Sequence, residues 1–252
     1  MNQSVIKALG ILDLFIDDKE LSLQEIAEKS GIPKPTAYRL LSTLENCGML
    51  YKVKENPHDS RYGLGLKLLE LGNLVSERLE LREIAVPYME KLAEEINEVI
   101  HLVIAHQQKA TYIEKVNSRR ALSLHTKIGR STPLYVGSGP KMLLAYLNEK
   151  EQNKVLHKPD LYTLTNQPID RKALLVELKK IRKQRFSISV DEQDADTTGI
   201  SFPIFNYENK VIAALAISGL SSRFKGEKLE RMKQLGSKTA KEISRRLGYR
   251  EG

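Results

Sequence analysis

Apolar residues near the start of the chain recur every three or four positions, which is the spacing of an α-helix with one buried face. Residues 5–16 have this spacing, so the sequence predicts a first helix there, with Ser4 as its N-cap. A second helix is predicted from Ser22, because Ser22 and Glu25 have the spacing of a capping box. Gly31 is expected to end this helix in the left-handed conformation.

A third helix is predicted directly after this turn, over residues 36–45, with Pro35 in its first turn. Its apolar positions face inward, and Ala27 on the preceding helix is the small residue that two closely packed helices need. Two short extended segments, 50–53 and 61–64, then flank a turn-rich stretch, which is the pattern of a β-hairpin. Helix, turn, helix and hairpin in this order predict a winged helix-turn-helix.

The rest of the chain mixes helical and extended patterns. Helical spacing returns at Leu66, and more helices and strands follow: strands at 99–106, 110–117, 122–128, 186–190, 200–205 and 211–218, and helices at 139–147, 171–185 and 225–247. This mixture predicts an α/β or α+β domain with one antiparallel sheet. We therefore expect an α+β protein with a winged-helix domain at 1–65, a linker helix at 66–82 and a second domain at 83–252.

The composition is that of a globular protein, with 41% apolar and 29% charged residues in a chain of 252. No apolar run approaches the ~20 residues that cross a bilayer, and the first residues lack the pattern of a signal peptide. Cys47 is the single cysteine, which excludes an internal disulfide and a multi-cysteine metal site, and we interpret it as a packed thiol. These features predict a cytoplasmic protein without a membrane partner.

The net charge of +8 favours a nucleic-acid partner, but its distribution weakens that argument. Residues 1–65 carry eight Lys or Arg against nine Asp or Glu, whereas residues 223–252 carry ten against four. Between Lys34 and Arg61, however, there are five cations and three anions. A DNA-binding surface must therefore depend on where individual cations lie.

The outer face of the third helix carries the side chains that a DNA-reading helix uses. Arg39 has the two donors that pair with guanine, and hydroxyl groups on the same face can donate to phosphates or base edges. The cations of the hairpin can contact the neighbouring phosphate backbone or minor groove. The alternative is an ordinary three-helix unit with a solvated face. The candidate DNA-binding residues are Lys34, Pro35, Thr36, Tyr38, Arg39, Ser42, Thr43, Lys52, Lys54 and Arg61.

Four segments resemble, in order, the IclR family of bacterial transcriptional regulators. They are residues 5–9, 23–27, 31–41 and 61–65, and the likeness continues through Leu69, Leu71 and Gly72 to the C-terminus. The resemblance implies a protein that binds an operator in double-stranded DNA, and we expect it to be a repressor. It also implies self-association as a homodimer or as a dimer of dimers, a homotetramer.

The same resemblance implies that the second domain is a GAF-like α/β fold that binds a small effector, often one bearing a carboxylate. The effector-binding residues carried over by position are Ser138, Gly139, Ser189, Gly199, Ala216 and Ser218. Family members often have an acid, a cysteine and a serine at three of these positions, where this chain has Ser189, Gly199 and Ala216. We therefore expect an effector larger than a two-carbon acid or different in polarity, with Asp191 or Glu192 in place of the missing acid.

The stretch 137–141 carries the clearest chemistry of the second domain. It combines backbone amides at a predicted helix start with one hydroxyl, an arrangement that holds an anion. The alternative is that its glycines only end a strand. His101 and His106 lie five positions apart on one predicted strand and so face opposite sides of it. We interpret both histidines as structural or surface residues and predict no metal site.

An enzyme is the main alternative to a regulator. In the stretch 137–142, Pro140 and Met142 stand where a phosphate-binding loop needs a glycine and a Mg²⁺-ligating hydroxyl, and no G-x-S-x-G elbow occurs. A DNA-binding protein without an effector would leave the second domain unexplained. We therefore predict a regulator with no enzymatic activity and no cofactor, whose partners are duplex DNA, a small-molecule effector and further copies of itself.

Overall fold

A computed structural model of the chain describes residues 2–56, 59–77, 80–120, 126–157 and 160–250. The chain divides into two compact units, Met1–Leu79 and Glu80–Gly252. Each unit has its own sheet and its own apolar core. Among the described residues, no helix combines the length and the apolar character needed to cross a membrane.

The N-terminal unit combines helices with a small antiparallel sheet. Its helices are α1 (Gln3–Asp13), α2 (Leu23–Ser30), α3 (Lys34–Asn46) and α4 (Leu66–Glu77), and a 3₁₀ turn at Leu14–Ile16 follows α1. Its strands are β1 (Leu21–Ser22), β2 (Leu50–Asn56) and β3 (Asp59–Leu64), in the order β1-β3-β2. The hairpin of β2 and β3, here called the wing, pairs Tyr51 with Gly63. The predicted winged helix-turn-helix is therefore confirmed.

Local hydrogen bonds explain where the first two helices begin and end. The Ser22 hydroxyl accepts from the Glu25 amide at 3.3 Å, and the Glu25 carboxylate accepts from the Ser22 amide at 2.7 Å, so the predicted capping box is confirmed. Gly31 ends α2 with a φ of +66°, as expected. The prediction of Ser4 as N-cap of α1 was wrong. The Asn2 side chain accepts from the amides of Ser4 and Val5 because the helix begins two residues earlier than expected.

The core of the N-terminal unit lies between α1, α2, α3 and the sheet. Ile11, Ile26, Leu41 and Tyr62 are among its fully or almost fully buried side chains. Other apolar side chains of α1 and α4 remain exposed in the single chain, namely Val5, Ile6 and Leu9 on α1 and Leu66, Leu69, Leu71 and Leu74 on α4. These two helices therefore present apolar surface that the chain does not cover by itself.

The C-terminal unit is built on a six-stranded antiparallel sheet of order β6-β5-β4-β9-β8-β7. The strands are β4 (Val99–His106), β5 (Lys109–Val116), β6 (Ser131–Pro133), β7 (Ser187–Val190), β8 (Thr197–Phe205) and β9 (Val211–Leu220). The helices are α5 (Glu80–Ile96), α6 (Ser138–Tyr146), α7 (Glu149–Leu156), α8 (Arg171–Gln184) and α9 (Gly226–Arg246), with a 3₁₀ turn at Ser221–Arg223. The predicted α+β class with one antiparallel sheet is confirmed.

Helices cover both faces of this sheet, and alternate residues of each strand serve different cores. On β4, Ile100 and Leu102 pack in one core with residues of α5 and α9. Val103, on the opposite face, packs in a second core with residues of α6 and α8. His101 has the same parity as Val103, so it faces α6. A cavity lies on this second face, where the N-terminus of α6 meets the sheet.

Two parts of the C-terminal unit differ from the sequence-based expectation. Helix α7 was not predicted, because only Val155 and Leu156 of its eight residues are buried and its apolar period is weak. The predicted strand 122–128 is wrong at residues 126–128, which lie outside any strand, while residues 121–125 fall outside the described part. Strand β6 instead forms at Ser131–Pro133, paired to β5.

Candidate nucleic-acid interface and ligand pocket

Helix α3 separates its apolar and polar side chains as the pattern predicts. Ala37 and Leu41 are fully buried, and Leu40 packs against the same core from a partly buried position. The opposite face exposes the first turn of the helix together with Arg39 and Thr43, and Tyr38 is 51% exposed. Ser42 is partly buried between the two faces. The structure thus brings the predicted residues Lys34, Pro35, Thr36, Tyr38, Arg39 and Thr43 onto one solvent-facing surface.

Arg39 is the side chain of this surface best placed for an external partner. Its guanidinium has no hydrogen bond or ion pair with any other described residue. The Thr43 hydroxyl, by contrast, donates to the Arg39 carbonyl at 2.9 Å, so its own donor is already used. Lys34 Nζ lies 3.4 Å from Gln24 Oε1, a long contact on an exposed surface. Both cations can therefore turn to a phosphate or a base without breaking a buried interaction.

The wing adds a second contact surface beside α3. A notch on the N-terminal unit is lined by residues of α2, α3 and the wing, including Gln24, Lys34, Tyr38, Lys52 and Ser60. Lys52 Nζ lies 5.6 Å from the centre of the Tyr62 ring, a cation–π contact that holds this cation at the notch. The notch therefore joins the start of the recognition helix to a cation of the wing. Lys54 belongs to β2, but its side chain falls outside the described residues.

Arg61 is engaged within the protein. Its Nη2 donates to the Glu20 carbonyl and to Glu25 Oε2, each at 3.2 Å. Glu25 is also the acid of the capping box, and hydrogen bonds from Ser22, followed by the charge of Arg61, lower the pKa of its carboxyl. Arg61 thus fastens the wing to the start of α2. It supports the predicted surface by positioning the wing, and a direct DNA contact would compete with these bonds.

The cavity of the C-terminal unit lies between the start of α6 and the strands β4, β7, β8 and β9. Six of the seven predicted effector-binding residues line it: Ser138, Gly139, Ser189, Gly199, Ala216 and Ser218. Hydroxyl groups and backbone dominate this wall. The structure therefore brings together, around one cavity, residues that lie up to 80 positions apart in the sequence.

Strand register explains why these residues meet. Ser189 on β7 is paired with Gly199 on β8, which is paired with Ser218 on β9, so the three form one row across the sheet. Two residues further along the strands, on the same face, Ala216 pairs with His101 on β4. Side chains of both rows project to the α6 side of the sheet. Ser138, at the first turn of α6, closes the cavity from above.

Asp191 does not line the cavity. Its backbone is left-handed, with a φ of +56°, and its carboxylate accepts from the Thr197 amide at 3.1 Å, so it shapes the turn before β8. Glu192 does line the cavity, but its two oxygens are engaged with Lys141 Nζ at 2.6 Å and the Gly137 amide at 2.7 Å. Lys141, 3% exposed, also contacts Glu177. Neither acid is therefore free to replace the acid that the family often has here.

The start of α6 keeps part of the predicted anion-binding arrangement. Glu192 occupies the Gly137 amide, and the Lys141 amide donates to the Gly137 carbonyl. The amides of Ser138 and Gly139 donate to no acceptor among the described residues, and both residues line the cavity. Two backbone donors and the Ser138 hydroxyl at the positive end of a helix can hold one carboxylate.

Sequence reasoning missed several residues of the cavity wall, among them His101, Tyr112 and Gln193. His101, interpreted as structural or surface, is buried and lines the cavity, whereas His106 is exposed. Tyr112 and Gln193 are joined by a hydrogen bond of 3.0 Å from the Tyr112 hydroxyl to Gln193 Oε1, and burial raises the pKa of Tyr112. The available signal for His101 was its place inside the apolar run 99–103 of β4, all of which is buried. Nothing local in the sequence indicates the contact between Tyr112 and Gln193.

The chain matches two family models, the IclR helix-turn-helix domain over residues 4–54 and the bacterial transcriptional regulator IclR C-terminal region over residues 74–245. The HTH-type transcriptional regulator KipR of Bacillus subtilis is 33% identical over 249 residues, with 98% of each chain covered. The transcriptional repressor IclR of Escherichia coli is 26% identical, with 98% of this chain and 90% of that protein covered.

Solved structures agree with these sequence matches. The IclR protein of Thermotoga maritima superposes with a TM-score of 0.75 at 30% identity, covering 99% of this chain and 100% of that one. An IclR homolog of Microbacterium hydrocarbonoxydans, crystallised with 4-hydroxybenzoate, superposes with a TM-score of 0.82 at 23% identity, covering 97% and 99%. Together with the winged helix-turn-helix and the cavity, these matches settle the class of the protein. The chain belongs to the IclR family of DNA-binding transcriptional regulators, which are not enzymes and which carry an effector-binding C-terminal domain.

Proposed function

We propose that this protein is a sequence-specific repressor that binds an operator through α3 and the wing and responds to a small carboxylate-bearing effector. The exposed polar face of α3 carries the proposal, because Arg39 lies there without a partner among the described residues. An arginine in this position can pair bidentately with guanine in the major groove. Repression is supported by the E. coli relative, which is a transcriptional repressor. Such a protein acts in the cytoplasm, where bacterial DNA lies.

The contacts divide into two classes. Arg39, Thr36 and Tyr38 on α3 are proposed to read base edges or the adjoining phosphates, while Lys34 and Lys52 at the notch bind phosphates. Pro35, Ser42, Thr43 and Lys54 complete the proposed interface, and Arg61 positions the wing. Phosphate contacts set the position of the protein on the duplex, and base contacts set the sequence.

The effector is proposed to bind in the cavity with its carboxylate at the start of α6. The amides of Ser138 and Gly139 and the Ser138 hydroxyl supply the donors, and Ser189 and Ser218 add hydroxyl groups from the sheet. The homolog crystallised with 4-hydroxybenzoate, itself a carboxylate, supports this class of ligand. Occupation of the cavity then changes operator affinity by a coupling free energy of about 1–3 kcal/mol.

Self-association is proposed to occur through the winged-helix domain, residues 1–65, and the linker helix, residues 66–82. The exposed apolar side chains of α1 and α4 give each chain a surface that a second copy can cover, for example Val5, Leu9 and Leu66. A dimer would place two recognition helices on half-sites about 34 Å apart. Domain 83–252 is proposed to join two dimers into a tetramer.

A combined screen tests this function. Purified protein is mixed with duplexes from the DNA upstream of its own gene, and the bound duplex is then challenged with small carboxylates, keto acids and amino-acid derivatives. We expect a specific complex that at least one carboxylate dissociates, and that carboxylate should raise the melting temperature, since a ligand at ~100 times its Kd adds roughly 2.7 kcal/mol of stability. Absence of specific binding contradicts the DNA-binding proposal. Specific binding that no carboxylate affects contradicts the effector class.

A further inference from the structure

The cavity wall contains a buried imidazole whose polar atoms find no partner in the protein. His101 is 1% exposed and lines the cavity between β4 and the start of α6. Neither its Nδ1 nor its Nε2 forms a hydrogen bond with any described residue. Buried polar groups are nearly always hydrogen-bonded, because an unpaired one loses its hydration without compensation. The two nitrogens therefore require a partner that enters the cavity.

The neighbours of His101 explain why the fold itself supplies none. Across the sheet His101 is paired with Ala216 on β9, whose methyl group cannot form a hydrogen bond. The ring of Tyr112 meets the imidazole edge to face, with 5.3 Å between ring centres, and the Tyr112 hydroxyl is bonded to Gln193. On the other side His101 is paired with Lys115 on β5, which offers a cation and no acceptor.

The surroundings also fix the protonation state of the imidazole. Burial, assisted by the charge of Lys115, lowers the pKa of His101 to about 3, so the ring is neutral at physiological pH. The acids that line the cavity do not offset this effect: neither Glu192 nor Asp194 forms an ion pair or hydrogen bond with His101, and Glu192 is paired with Lys141. A neutral imidazole carries one donor nitrogen and one acceptor nitrogen. A carboxylate can pair only with the donor nitrogen and a methyl group with neither, whereas a hydroxyl can pair with whichever nitrogen faces it, as an acceptor or as a donor.

We infer that His101 is a specificity-determining residue of the effector pocket and that the effector is a hydroxycarboxylate whose hydroxyl pairs with this imidazole. The carboxylate lies at the amides of Ser138 and Gly139, as in the proposed function on which this inference rests. The carboxylate of the ligand then accepts hydrogen bonds from the amides at the start of α6. Its hydroxyl pairs with the neutral imidazole of His101, which otherwise has no hydrogen-bond partner. An acid of the same carbon skeleton without the hydroxyl leaves His101 unsatisfied.

Matched pairs of acids test the inference by calorimetry on the full-length protein. The pairs are lactate with propionate, 2-hydroxybutyrate with butyrate, 3-hydroxybutyrate with butyrate, and 4-hydroxybenzoate with benzoate. In at least one pair we expect the hydroxy acid to bind the wild-type protein tenfold or more tightly than its partner. His101→Leu should bring that ratio close to one and leave the affinity for the plain acid within about threefold. His101→Asn, which keeps one donor and one acceptor, should retain part of the preference.

The possible failures are distinguishable. If these acids bind and release DNA but His101→Leu keeps the wild-type ratio, the role of His101 is overturned and the proposed carboxylate pocket stands. If none of them binds but a carboxylate without a hydroxyl dissociates the operator complex in the screen, the role of His101 is overturned and the carboxylate pocket again stands. If no carboxylate of the screen binds, both are overturned. A second measurement needs no variant: the ¹⁵N chemical shifts of the His101 ring in the wild-type protein. The preferred hydroxy acid should shift one ring nitrogen and the plain acid should not, and equal shifts with both acids contradict the inference.

Discussion

The hydroxyl oxygen of Ser138 lies 2.6 Å from the point that a Cβ atom on Gly199 would occupy. The absence of a side chain at Gly199 is therefore what admits this hydroxyl to the cavity. We predict that Gly199→Ala lowers the free energy of unfolding by roughly 1–3 kcal/mol, the usual effect of overpacking a close-packed region. Denaturant titration of the wild-type and variant proteins measures the difference.

The matched control is the double variant Ser138→Ala/Gly199→Ala. Removal of the Ser138 hydroxyl clears the clash, and the next atom that the new Cβ meets is Ser189 Oγ at 3.3 Å. The double variant should recover most of the lost stability, which is a coupling between the two positions. If it is as unstable as Gly199→Ala alone, the two residues do not compete for the same space.

Ser138→Val should abolish the effector response while operator binding stays intact. The change replaces the hydroxyl at the proposed carboxylate site with two methyl groups and leaves the N-terminal unit untouched. Calorimetry with the carboxylate found in the screen measures the loss, and Ser131→Ala, on the exposed end of β6, is the control. An unaltered titration in Ser138→Val would show that Ser138 does not bind the effector.

His101 should make the stability of the protein depend on pH. The folded-state pKa of about 3 lies below the ordinary 6.5, so between these values the unfolded chain binds a proton that the folded chain does not. Stability is therefore complete above pH 6.5 and falls as the pH drops towards 3. At pH 5 this residue lowers the free energy of unfolding by about 2 kcal/mol relative to its value well above pH 6.5.

His101→Leu should remove that dependence, and the difference between wild-type and variant unfolding free energies from pH 7 to pH 5 measures it. His106→Leu, on the same strand but exposed, is the matched control and should follow the wild-type curve. The leucine variant should also melt higher at every pH in the absence of ligand, because it removes an unpaired buried polar group. Parallel curves for all three proteins would contradict the assignment of this pH dependence to His101.

Features that depend on neighbouring residues could be predicted from the sequence. The capping box of Ser22 and Glu25, the turn at Gly31 and the polar face around Arg39 each rest on a few adjacent positions. The pocket positions on α6, β7, β8 and β9 were predicted from the resemblance to the family. The place of His101 in the cavity wall was not predicted, because its environment depends on its pairing with Ala216, 115 positions away, which spacing along one strand does not show.

Long-range polar contacts were likewise out of reach of the sequence. Arg61 was predicted to contact DNA, but its contact with Glu25 joins the wing to α2 across 36 positions. Glu192 was a candidate for the effector site, and its bonds to Gly137 and Lys141 became visible only with the fold. In both cases the sequence shows a charged residue, but which group that residue pairs with depends on tertiary packing.

Lys52→Ala should weaken binding to every DNA sequence by a similar factor. Lys52 lies at the notch, where a phosphate contact carries no sequence information. Loss of one phosphate contact should reduce the slope of log K against log salt concentration by about 0.9. Fluorescence anisotropy over a salt series measures this slope, with Lys150→Ala on the exposed surface of α7 as a control of equal charge. A loss confined to the operator would indicate that Lys52 reads bases.

The reading of DNA by the exposed face of α3 is tested most directly by selecting bound duplexes from a random pool with wild-type and Arg39→Ala protein. The wild-type protein should enrich a pseudo-palindrome with half-sites about one helical turn apart. Arg39→Ala should lose the preference at one base pair in each half-site and bind the wild-type site more weakly by about 1–3 kcal/mol. An identical enriched sequence with undiminished affinity for the variant, or no enriched sequence for the wild-type protein, would contradict this account.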